Sequence, residues 1–175
     1  MRTSRQLTPI GAIASGMAAG LVGTVCMDTV RFRRQRRSGG ERSFRRWEFA
    51  RVRGWQDAPD PGQIAKRVIE GFTERTLPDG AAWPISTVMH WSYGVSWGAL
   101  YGVVAASVRT PHFFYGVPFG AFVWLSAYTV LPASGLYEAI WKYEGKVLAE
   151  DLSGHLVYGV ATSTVFLVLR FAAER

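Results

Sequence analysis

The sequence predicts an all-α, polytopic membrane protein. It has four transmembrane helices arranged as two repeated helical hairpins, plus a short amphipathic helix on the cytoplasmic side. Three observations predict it. Thirteen of the twenty Lys and Arg residues lie between Arg31 and Arg75, whereas a soluble protein spreads charge over every surface element. Elsewhere, long stretches carry no Lys, Arg, Asp or Glu. Within those stretches small residues recur four positions apart, the spacing of one helix ridge. The 175 residues suffice for one compact domain.

A hydrocarbon core of ~30 Å takes about 20 apolar residues of helix. The first span is expected over residues 7–30, with Asp28 its only formal charge. Its basic start, Met1 to Arg5, superficially resembles a signal peptide. The run is longer than a signal core and an arginine block follows it, so it reads as a retained helix. The second span, 84–108, has no charge unless His90 is protonated. The third covers 113–132, and the fourth, 152–169, carries His155 near its start.

Ten arginines between Arg31 and Arg53 follow the first span directly. By the positive-inside rule they hold segment 31–83 in the cytoplasm and put both termini outside, although Arg2 and Arg5 pull the other way. Next to a bilayer the block is expected to meet anionic lipid headgroups. Nucleic-acid binding has little support, because only Phe44, Trp47 and Phe49 offer stacking surfaces. Asp60-Pro61 reads as a helix start with Asp60 as cap, opening an amphipathic helix over 61–76. Its face of Ile64, Val68, Ile69 and Phe72 suits a membrane surface or the ends of the bundle. Trp83, Trp91, Trp141 and Tyr143 read as interfacial anchors, and Trp97, Tyr101 and Trp124 as deeper packing residues.

His90-Trp-Ser-Tyr-Gly-Val95 returns as His155-Leu-Val-Tyr-Gly-Val160. Gly16-x-x-x-Gly20 returns as Gly116-x-x-x-Gly120. Spans one and two are thus expected to repeat as three and four, in parallel. Close backbone approach supplies the packing energy that lipid denies to apolar side chains. The expected packing ridges run through Gly16 and Gly20 to Asp28, through His90, Gly94, Gly98 and Gly102, and through His155 and Gly159.

Asp28, His90 and His155 are expected at one depth in the bundle, and ionisable groups within spans are functional candidates. The plainest account makes them hydrogen-bonded bridges between helices. Sharper accounts are a haem ligated by His90 and His155, with Gly94 and Gly159 leaving room for its face, a divalent metal on the two histidines and a carboxylate such as Asp28, or a proton or solute path. Cys26 is the only cysteine, so no disulfide forms within the chain; it reads as a small buried residue. No nucleophile–base pair, phosphate loop or Gly-x-Ser-x-Gly elbow is present. The residues therefore point to a non-enzymatic scaffold, an accessory subunit of a membrane complex or a homo-oligomer. A small transporter and a haem- or metal-binding redox protein are the alternatives.

Gly116-x-x-x-Gly-Ala121, Leu131-Pro132, Gly135-Leu136, Trp141 and Glu150-x-x-x-Gly-His-Leu-Val157 resemble the YagU-like family of bacterial inner-membrane proteins, mainly over residues 84–170. The resemblance implies a four-helix inner-membrane protein with no assigned activity, and it transfers no catalytic residue. The arginine-rich segment departs from that family's pattern.

Overall fold

A computed structural model describes residues 7–108 and 110–173. All six α-helices and the short 3-10 turns among the described residues occur without a strand. The helices are α1 (Pro9–Arg37), α2 (Phe44–Glu48), α3 (Asp60–Thr73), α4 (Ala82–Ser107), α5 (Gly116–Ala133) and α6 (Gly145–Ala173). Four are long. α1 packs against both α4 and α6, and α5 packs against α6. Ring contacts between Tyr101 and Phe119 (4.7 Å) and between Trp97 and Phe122 (5.7 Å) close the bundle from α4 to α5. α1 and α5 therefore lie on one diagonal, α4 and α6 on the other.

α1 starts where Thr8 accepts a hydrogen bond from the Gly11 N–H and Pro9 takes the first helical turn. It continues through Arg31–Arg37, seven residues past the expected end. Its 29 residues make a rod of about 43 Å, so the arginines stand on rigid helix and not on a loop. Three segments are long and apolar enough to cross a membrane: Pro9–Arg37, Phe113–Ala133 and Gly145–Ala173. Only 28 % of the most apolar stretch of the last is buried inside the protein. Such an apolar exterior fits a lipid environment and not water. The remaining expected span is α4, a 26-residue helix without a charged side chain. Its tryptophans, tyrosines, serines and His90 leave it without a stretch as apolar as those of the other three, and it is not among the segments apolar enough to cross a membrane.

Glycines decide how closely the helices approach. A methyl group on Gly20 would lie 2.5 Å from the Gly94 carbonyl oxygen and 2.8 Å from the Gly98 Cα. Gly16 faces Gly98 and Gly102 in the same way, all backbone against backbone. In the other pair Gly116 meets Gly159, and Gly120 meets His155 and Leu156. These are the predicted ridges, facing each other.

The seams also set a register that differs from the sequence match. Gly20 opposes Gly94, and Gly116 opposes Gly159. With His90 equivalent to His155, Gly116 is thus the counterpart of Gly20 and not of Gly16, a slip of one helical turn. Both pairs are filled from the middle of the bundle. Ala19, Tyr101, Ala105 and Phe166 form one buried cluster, and Met27, Val123 and Tyr158 another.

The basic segment is folded. Phe44 and Trp47 of α2 pack on Phe32 of α1, with centroids 5.5 and 5.7 Å away. Phe49 stacks on Trp91 of α4 at 6.4 Å. The aromatics that hinted at nucleic-acid stacking are spent on docking α2 to the bundle.

α3 starts at Asp60 with Pro59, not Asp60, in the cap position and no side-chain cap bond. Burial and the nearby Asp60 carboxylate raise the Tyr137 phenol above its usual range. α3 sits on α4 through Gly62, whose missing side chain leaves room for Ser86, and through buried Ala65. Of the expected stripe, Val68 and Phe72 (88 %) are exposed, while Ile64 and Ile69 are half-buried. Gly135, at φ 66°, turns the chain after α5, a left-handed conformation cheap only for glycine. Cys26 is half-buried rather than buried.

Candidate functional site

Where α1 approaches its arginine-rich end, a buried carboxylate faces α4. Asp28 is 2 % exposed, one turn beyond Thr24 on the ridge that packs against α4. His90 lies opposite, its Nε2 2.8 Å from Asp28 Oδ2. A carboxylate oxygen accepts, so Nε2–H donates and the imidazole orientation is set. α2 brings a third group to the pair: Glu48 Oε1 is 3.8 Å from the same Nε2. The Glu48 side chain is 5 % exposed. Among the described residues it accepts no hydrogen bond. Burial first, and the negative charge of Asp28 second, raise its carboxyl above the usual range against the pull of His90 and Arg31.

His155 is not part of this group. Its Nδ1 donates to the Asp151 backbone carbonyl at 3.0 Å on its own helix, and Asp151 in turn receives Arg31 at 2.9 Å. Arg34 secures the start of α6 through the Glu150 carbonyl (2.7 Å) and the Ser153 hydroxyl (2.6 Å). The expected convergence of Asp28, His90 and His155 is therefore divided into two neighbouring sites, Asp28–His90–Glu48 and Arg31–Asp151–His155.

The glycines expected to make room for a porphyrin face are covered. Thr24 and the Tyr158 hydroxyl, which donates to the Gly94 carbonyl at 2.6 Å, lie on Gly94. The α5 backbone lies on Gly159.

Sequence reasoning missed Glu48. It sits outside every span, among arginines, in a five-residue helix. The one signal available was Phe44-Arg-Arg-Trp47, whose aromatics needed a surface to pack on, and α1 is the nearest.

A second feature lies at the opposite end, on the outer face between α4 and α5. An open apolar groove of about 610 Å³ has Tyr101 and Phe119 in its floor and Leu100, Val104 and Phe122 along its rims. Leu100, Val104 and Phe122 are more than half exposed. Polar side chains nearby are already engaged: Tyr101 donates to Ser163 at 2.7 Å, and Ser163 to the His112 carbonyl at 3.3 Å.

No protein-family model, curated protein or solved structure matches the chain.

Proposed function

We propose that this chain is a four-crossing protein of a bacterial inner membrane, built of the repeated hairpins α1/α4 and α5/α6, that acts as a non-enzymatic scaffold by pairing with a second copy of itself. The observation that carries the proposal is the groove between α4 and α5. The glycine ridges of α1, α4, α5 and α6 are consumed inside the chain, and Tyr101, Tyr158 and His90 spend their polar atoms on neighbouring helices. The groove's aliphatic and aromatic rims are left uncovered by the chain's own helices. Two copies related by a two-fold axis would set Leu100 and Val104 of each against the groove of the other.

The crossing of α4 is supported by its length, about 39 Å for 26 residues, by its lack of charge, and by antiparallel packing along α1. The resemblance to the YagU-like family supports the same architecture. Arg33, Arg36, Arg37, Arg42, Arg45 and Arg46 are exposed around α2. That distribution supports a cytoplasmic face on anionic headgroups, each arginine worth ~1 kcal/mol near the surface.

A photo-crosslinking residue at Val104, in protein reconstituted into nanodiscs loaded with more than one chain, tests the pairing. A discrete dimer band is expected from position 104, with none from exposed Val168. Adducts to lipid alone at both positions would reject the scaffold reading.

A further inference from the structure

We propose that Asp28, Glu48 and His90 form a binding site for a divalent first-row transition cation, the class of Mn²⁺, Fe²⁺, Co²⁺ and Zn²⁺. The three come from α1, α2 and α4, and one ligand atom of each lies within 4.8 Å of the other two. Oxygen and nitrogen ligands bound at about 2.0–2.2 Å stand roughly 3–4 Å from one another. The His90–Glu48 separation of 3.8 Å lies within that range and the His90–Asp28 separation of 2.8 Å just below it.

Charge gives an independent argument. Two carboxylates with side chains 3 and 5 % exposed share one imidazole N–H. That N–H is used on Asp28, which leaves the buried Glu48 carboxylate aimed at the cluster without a donor. Burying a carboxylate unpaired is costly. The guanidinium of Arg31, whose charge acts on Glu48, is itself held by Asp151 at 2.9 Å. One proton answers one carboxylate; a dication answers both and takes the place of the Nε2 proton, which moves to Nδ1 or to solvent, so that the Nε2 lone pair becomes the third ligand.

The donor set narrows the ion. Two carboxylates and an imidazole suit borderline divalent ions. The cluster has no sulfur for Cu⁺, and its nitrogen ligand disfavours Ca²⁺ and Mg²⁺, which take oxygen. Because Glu48 sits on α2, ion binding would fasten the arginine-rich segment to the ends of α1 and α4.

The test is Co²⁺ binding to the full chain, purified in detergent with any affinity tag removed, followed by equilibrium dialysis and the visible spectrum of the bound ion. One Co²⁺ per chain is expected. Asp28→Asn and His90→Gln should weaken it beyond the roughly 10–100-fold that loss of an outer partner costs. Glu48→Gln should weaken it at least tenfold, and His155→Gln should leave it unchanged. Glu48→Cys keeps the test decisive should a variant in the spans fail to fold, because a thiolate ligand adds a near-ultraviolet charge-transfer band absent from the wild type. Absence of bound Co²⁺, affinity indifferent to all three cluster variants, or a Glu48→Cys protein without the new band each overturns the site.

Discussion

The two helix pairs of this bundle, α1/α4 and α5/α6, are joined by the same device and finished differently. Each is an antiparallel seam of glycine on glycine, with a histidine one turn from the glycine that the partner helix covers. In register, Asp28 of the first pair corresponds to Trp124 of the second. His90 thus meets a carboxylate across the seam at 2.8 Å. His155 meets no acid from α5 and turns to the Asp151 carbonyl on its own helix. One substitution in a repeated frame separates a reactive pair from a packing one. The seam sets which residues meet, and the residue at that position sets whether chemistry follows.

The strongest way to break the comparison is to strike the shared part. Gly20→Leu and Gly116→Leu drive a side chain into the facing backbone, and each is expected to cost about 3 kcal/mol or more. Reversible unfolding in mixed bicelles checks this, with Gly71→Ala, inside α3 where nothing lies within 4 Å, as the control that loses no stability. If one seam tolerates leucine, the two pairs are not equivalent.

The unlike part comes next. Asp28→Ala leaves the His90 Nε2–H without its buried acceptor and should cost about 3 kcal/mol. His155→Gln should stay within about 1 kcal/mol, because a local bond to a carbonyl is what it loses. Equal losses at the two sites would erase the distinction.

Tyr158→Phe removes the hydroxyl that crosses the diagonal to the Gly94 carbonyl and should cost about 1 kcal/mol. The matching loss in thermal midpoint is its measure.

The smallest effect is titration of Glu48. Its carboxyl is raised above the ordinary 4.5 in the folded chain, so the folded state takes up a proton at a pH where the unfolded chain has not. Stability should therefore rise as pH falls through the folded value and level off below 4.5. Thermal scans of wild type and Glu48→Gln across this range should show the gain in the first and not in the second.

The long helices were legible because apolar length is written locally. A long run without charges reads as a long helix, whatever it packs against, and three of the four expected helices are also apolar enough to cross a membrane. The glycine ridges were legible for the same reason, since four-residue spacing fixes a face. The slip of one turn between the repeats was not, because Gly16, Gly20, Gly116 and Gly120 look alike until a partner helix chooses among them. His155 misled through its likeness to His90. The competing oxygen, on Asp151, lies four residues away on the same helix, and such a local partner needs no fold to bring it near. Glu48 was hidden because its meaning depends on α2 folding back over Phe32. Nothing periodic in an arginine-rich stretch announces that return.

The wide separation in sequence of α1 from its partners bears on how the chain is made. Asp28 waits for His90, 62 residues later, and Arg31 waits for Asp151, 120 residues later. At about 5–20 residues per second of synthesis, those delays are roughly 3–12 s and 6–24 s. For that interval α1 carries an acid and a guanidinium whose mates do not yet exist, and its packing is completed only when α6 has been made.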